Sequence, residues 1–283
     1  MTGAAENTAE NTAVNPAATD GWSAPLPPSL QLERHGAGGE VAVLRLARPA
    51  KRNAINDPTV RGVETFFGSP PPGVKAVVLD AEGPHFCAGL DLSELTERDA
   101  FEGLEHSRMW HRAFERMERG RVPVVAVLKG AVIGGGLELA SATHLRVAEP
   151  STFYALPEGQ HGLFVGGGGS VRVPRLIGAH RMADMMLTGR VVGADEGQAL
   201  GLSHYLVGEG EGLAKALELA QKIAANSPVT NFAVLQALPR IAEANPAEGY
   251  LMESMMAALA GSSEQAQQRM QAFLQGRGGK VQR

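Results

Sequence analysis

Cysteine is almost missing from this chain. Cys87 stands alone among 283 residues, which excludes a disulfide framework and any zinc site built on cysteines. Long apolar runs are missing as well: the longest, Val122 to Leu128, stops at Lys129, far short of the ~18–20 residues that span a bilayer. Nor is positive charge in excess. Lys and Arg number 26 against 30 Asp and Glu, a net charge of −4, which offers no overall attraction to nucleic acid or to an anionic membrane. Hydrophobic residues still make up 44% of the chain, enough to bury a core, so disorder throughout is excluded. The composition predicts a soluble protein of a reducing compartment, with the cytoplasm as the default location.

Residues 1 to 28 hold almost no large apolar side chains. They predict a flexible tail, because such a segment cannot bury enough surface to offset its ordering entropy. The tail has no Lys or Arg and carries Glu6, Glu10 and Asp20, so it lacks the layout of a signal peptide and of an Arg-rich transit peptide. Leu30 to Arg34 and Val41 to Leu46 alternate around His35-Gly36-Ala37-Gly38-Gly39 and predict a hairpin. Lys75 to Leu79 and Val122 to Leu128 read as buried strands. Between them, Glu94 to Glu118 places Leu95, Leu104, Trp110, Phe114 and Met117 at roughly helical intervals, with Met and Trp as core packing. A short helix is predicted around Leu137, Ala140 and Ser141, and a strand over Leu145 to Ala148. Helices then dominate, including Gly212 to Ala225, Val229 to Glu243 and Ala247 to Ala260.

Glycine is abundant, at 35 residues against a usual ~7% of a chain. Two glycine turns carry chemistry. Pro84-His85-Phe86-Cys87-Ala88-Gly89-Leu90-Asp91-Leu92 follows one strand, and Lys129 to Glu138, with its Gly134-Gly135-Gly136 triplet, runs from another strand into a helix. Small residues leave backbone N–H groups open to a ligand, and the first N–H groups of a helix have no intrahelical partner. Two such turns face to face can hold a developing oxyanion between two donors, whereas either alone reads as a tight connection.

Together these segments resemble the two signature stretches of the enoyl-CoA hydratase/isomerase (crotonase) superfamily. Arg48-Pro49-Ala50-Lys51-Arg52-Asn53-Ala54-Ile55-Asn56 is similar to that family's early coenzyme A-binding strand end. Leu156-Pro157-Glu158, Gly162 through Gly178, Leu187-Thr188-Gly189-Arg190 and Ala194 to Leu202 match further blocks in order. The resemblance implies an α/β fold, the crotonase spiral of repeated ββα units with a helical C-terminal region. It divides the chain into the tail 1–28, a spiral core with the active site over 29–205, and a helical region 206–283 for trimerisation and pocket cover.

The activity implied is reversible hydration of a 2-enoyl-CoA to a 3-hydroxyacyl-CoA through an enolate. The thioester oxygen would sit between the N–H groups of Ala88 and Gly135. Glu138 and Glu158, separated by 158 − 138 = 20 residues, match the family's paired glutamates. By analogy Glu158 exchanges the α-proton while Glu138 holds and activates water. Substrate contacts implied are Lys51 and Arg52 toward the coenzyme A phosphates, with Ala54, Cys87, Gly89, Leu90, Asp91, Gly134 and His161 along the thioester; Cys87 is taken as packing rather than as a nucleophile.

No metal or separate cofactor is implied, coenzyme A being part of the substrate. His106 and His111 are five apart, not the four that puts two ligands on one helical face. The Gly166-Gly167-Gly168-Gly169-Ser170 run lacks the Gly-Lys-Ser/Thr of a phosphate loop. Partners implied are an acyl-CoA thioester and further copies of the chain, as a homotrimer or dimer of trimers, with no nucleic acid and no membrane. Two departures bear on the acyl preference: Val165 stands where many hydratases have proline, and Gly159-Gln160-His161 replaces a small aliphatic stretch. Other enolate reactions on the scaffold are the alternative: Δ3–Δ2 isomerisation, hydratase/lyase cleavage, or dehydration with thioester hydrolysis. RNA binding and a silent acyl-CoA-binding subunit are weaker alternatives, disfavoured by the net charge and by the two glutamates.

Overall fold

A computed structural model of the chain describes residues 22–94 and 98–277. The expected hairpin is present as β1 (Leu30–His35) and β2 (Val41–Leu46), antiparallel with Leu30 opposite Leu46. From β2 onward the sheet is parallel, through β3 (Ala76–Ala81), β4 (Val124–Leu128), β6 (Leu145–Ala148) and β9 (Tyr205–Leu206), in the order β1-β2-β3-β4-β6-β9. A second sheet collects β5 (Ala131–Ile133), β7 (Phe153–Ala155) and β8 (Val192–Gly193). Successive turns of chain give one strand to each sheet and then a helix, as in β4, β5 and α3 (Gly135–Ser141). This is the ββα spiral.

The large sheet is buried on both faces, which explains why its strands read as nearly continuous apolar runs. Ala42, Leu44, Val77, Leu79, Ala126 and Leu128 face a core shared with α1 (Asp57–Gly68) and α2 (Ala100–Glu118). Their neighbours Val41, Val43, Val78, Val125 and Val127 face Ala216, Leu219 and Ala220 of α7 (Gly212–Ala224). The period-two alternation of side chains thus feeds two cores at once. So α7, in the helical region 206–283 expected to serve trimerisation and pocket cover, packs against the large sheet.

Of the expected tail, residues 22–28 are described, and they lie against α1. Trp22 donates from Nε1 to Ser69 O at 2.8 Å and meets Phe66 edge-on. The rest of the tail lies outside the described residues, as does Leu95. The helix expected from Glu94 begins at Ala100 because Asp99 caps it: Oδ1 accepts from the N–H groups of Phe101 and Glu102, and the Glu102 side chain accepts from Asp99 N–H. The single helix expected over 229–243 is broken into α8 (Pro228–Phe232), one π turn (Ala233–Ala237) and α9 (Leu238–Glu243). Pro239 supplies the reason, since it cannot donate to a carbonyl one turn back.

Candidate active site

The two glycine turns meet across an isolated bridge, Cys87 beside Val132. A Cβ built on Gly89 would stand 3.4 Å from Gly135 N, and one built on Gly135 would stand 3.4 Å from Leu90 N. Gly89 has φ +96° and Gly134 has φ +51°, conformations that side chains strain to adopt. At Gly134 a Cβ would also fall 2.6 Å from Glu158 Oε1. The glycines let two backbones and a carboxyl group converge.

The N–H groups of the first turn can be followed one by one. Phe86 donates to Lys129 O, Cys87 to Ala131 O, Ala88 to Arg52 O at 3.0 Å, Gly89 to Cys87 Sγ, and Asp91 to Ile55 O. From Phe86 to Asp91, only Leu90 N–H has no acceptor among the described residues. The assignment of Ala88 as the donor is therefore corrected: its N–H is spent inside the protein, and the open donor is two residues later. On the second turn Gly135, the first residue of α3, has an open N–H as expected. Leu90 and Gly135 thus present two unpaired donors on facing turns.

Glu138, on α3, is only 4% exposed. Its Oε1 accepts from Gly167 N–H and Gly169 N–H, both at 2.8 Å, the second opening α4 (Gly169–Ile177). Burial pushes the carboxyl pKa up, and these backbone bonds pull it back. Glu158 rides on the 3-10 turn Pro157–His161 that follows β7. Burial, opposed by its own backbone N–H and reinforced by the charge of Glu138, raises its pKa to about 7. Its Oε2 is buried with no hydrogen-bond partner. Burial raises both carboxyls, but two donors favour charge on Glu138 and no group donates to Glu158 Oε2. The proton the pair retains belongs on Glu158.

Both carboxyls open on a cavity of about 540 Å³ whose walls are largely apolar: Leu90, Trp110, Ile133, Leu163, Phe164 and Val165. Of the residues expected here, Ala88, Gly89, Leu90, Gly134, Gly135, Glu138, Glu158 and His161 line it. Cys87 and Asp91 do not. Cys87 is buried, with burial holding its thiol up at about 12, and Asp91 faces Arg48 and Ser93. Lys51 and Arg52 are exposed outside the cavity, and Ala54 lies behind the turn, giving its carbonyl to Arg48 Nη1. Sequence reasoning missed the wall given by α2, where His106 pairs with Asp57 at 2.8 Å and Ser107 donates to Gly166 O. The helical spacing of Gly103, His106, Ser107 and Trp110 was the signal available.

The chain is similar over most of its length to known proteins. A family model described as enoyl-CoA hydratase/isomerase matches residues 36–280. A short-chain-enoyl-CoA hydratase of Clostridium acetobutylicum is 31% identical over 242 residues, 84% of this chain and 93% of the relative. Enoyl-CoA hydratase EchA19 of Mycobacterium tuberculosis is 31% identical over 216 residues, 75% of this chain and 80% of the relative. Among solved structures, a Rhodopseudomonas palustris protein assigned as an enoyl-CoA hydratase superposes with a TM-score of 0.86 at 56% identity, covering 90% of this chain and 98% of that one.

Proposed function

The chain belongs to the enoyl-CoA hydratase/isomerase family, and we propose that it acts there as an enoyl-CoA hydratase through the Glu138–Glu158 pair. The observation that carries this reading is the unequal hydrogen bonding of the two carboxyls across one cavity. Hydration needs a base for water and an acid for C2 at the same moment, which two carboxyls with different proton occupancy supply. Glu138, as carboxylate, takes a proton from water as the oxygen adds to C3. Charge moves to the thioester oxygen, where Leu90 N–H and Gly135 N–H stabilise the enolate more than the ground-state carbonyl. Glu158 then gives its proton to C2. The pair ends with its one proton moved from Glu158 to Glu138, and exchange with solvent resets it. With both groups acting on one face of the enoyl plane, the proposed addition is syn.

Coenzyme A enters as part of the substrate, and these steps call on no other group. Lys51 and Arg52, exposed on the turn beyond the cavity, would meet its phosphates. We further propose a homotrimer or dimer of trimers. Its support is the exposure of Phe232, Leu238, Tyr250, Leu251, Met255 and Phe273 on the C-terminal helices, where α10 (Pro246–Gly261) buries only Gly249. A cytoplasmic location is proposed on composition; no helix among the described residues is long and apolar enough to cross a membrane.

Isomerisation is the second reading, favoured by the unpartnered Glu158 Oε2, since one carboxyl can carry a proton between C2 and C4. Turnover in H₂¹⁸O and D₂O separates the two. Hydration places ¹⁸O at C3 and deuterium at C2 on the same face. Deuterium without ¹⁸O would establish isomerisation instead.

A further inference from the structure

Arg52 and Asn53 are the non-glycine residues with positive φ among the described residues, at 49° and 54°. Two consecutive left-handed residues require an explanation, because side chains other than glycine enter that region at a cost and persist there only when the surroundings over-determine them. Asn53 supplies the determinants. It is 2% exposed, and its carboxamide is fully used. Oδ1 accepts from Arg48 N–H at 2.8 Å, and Nδ2 donates to Glu82 O and to His85 O, both at 2.8 Å. The side chain thereby ties residues 48–55 to the entry of the turn that carries Leu90.

That tie has a consequence for the donor. The reversed chain at Arg52–Asn53 aims Arg52 O at Ala88 N–H, and Ile55 brackets the exit, donating to Gly89 O at 2.7 Å and accepting from Asp91 N–H at 2.8 Å. Each acceptor takes one N–H of the turn and leaves Leu90 N–H toward the cavity. Asn53 itself lines no part of that cavity. Building on the enolate reading of the site, we propose that Asn53 is a positioning residue: it fixes the register in which Leu90, rather than a neighbour, offers its N–H to the thioester oxygen.

The test uses two substitutions that fail differently. Asn53→Asp keeps the size and the acceptor for Arg48 N–H but turns an acceptor toward two carbonyls. Asn53→Gly drops all three bonds yet accepts the left-handed backbone freely. Misplacing one donor by a fraction of an ångström predicts a ~10–100-fold fall in kcat for enoyl-CoA hydration with KM little changed. The second readout is the absorption band of a bound para-amino-substituted cinnamoyl-CoA, which moves to longer wavelength as its carbonyl accepts hydrogen bonds. The wild type should show the shift and both variants a smaller one. If Asn53→Gly does not accumulate as folded protein, the near-isosteric Asn53→Asp carries the test. Variants that melt lower but retain the wild-type kcat and band position would assign Asn53 to stability alone and overturn the proposal. A wild type that neither hydrates nor shifts the band would instead sink the enolate reading.

Discussion

Glu138 Oε1 receives two backbone N–H bonds, and the buried Oε2 of Glu158, a residue that lines the same cavity, receives none. Two like carboxyls are thereby made unlike. One is held by fixed donors that favour its charge; the other is left where burial favours its neutral form. In the proposed mechanism this asymmetry, more than the presence of two glutamates, lets one pair act as base and acid together.

A pH dependence follows, with its sign. The productive free enzyme holds one proton on the pair. As pH rises through about 7, Glu158 loses it, so kcat/KM for hydration falls on the alkaline side by up to tenfold per pH unit. Dehydration of the 3-hydroxyacyl-CoA draws on the same singly protonated pair, and the overall reaction releases no proton. The two directions must therefore share one profile. Values of kcat/KM measured both ways between pH 5 and 9 check this; alkaline limbs at different pH would contradict it.

The donor reassigned to Leu90 can be removed without touching a side chain. Replacing Leu90 by its α-hydroxy acid puts an ester where the amide was. The expected loss is ~10²–10³ in kcat, the effect of deleting one oxyanion donor. The same exchange at Ala88 removes its bond to Arg52 O and should reach activity only through the turn's geometry, with a smaller loss. An equal or greater loss at Ala88 would return the donor role to that residue.

Cys87 offers a check on the core. Its thiol is fully buried and held near pKa 12, so it is neither ionised nor reachable at pH 8. Iodoacetamide should leave the folded protein unmodified and label Cys87 once denaturant unfolds it, as mass spectrometry would read. Rapid labelling of the native protein would contradict its packed position between the two turns.

Much of the architecture was legible in the sequence because strands buried on both faces must be apolar along most of their length, as 76–79 and 124–128 are. The glycine turns and the two glutamates were legible for a related reason: close backbone approach demands small residues at fixed places. Hydrogen-bond register was not legible. Whether Ala88 or Leu90 keeps a free N–H depends on Arg52 O and Ile55, from a segment far back in the chain. The Gly166–Gly169 run reads in sequence as a glycine stretch that is no phosphate loop, but that two of its N–H groups hold Glu138 is visible only when the spiral brings α3 and α4 together. The α2 start was misjudged because Asp99 and Glu102 cap each other inside a stretch that otherwise reads as continuous helix.

The most direct measurement of the central claim is the ultraviolet absorbance of crotonyl-CoA and longer 2-enoyl-CoA thioesters mixed with the purified protein, with Glu138→Gln and with Glu158→Gln. The account predicts loss of the conjugated enoyl-thioester band with the wild type and a ~10²–10⁴-fold slower loss with each variant. A wild type that leaves the band unchanged for every chain length, or either variant that bleaches it at the wild-type rate, would contradict hydration by the Glu138–Glu158 pair.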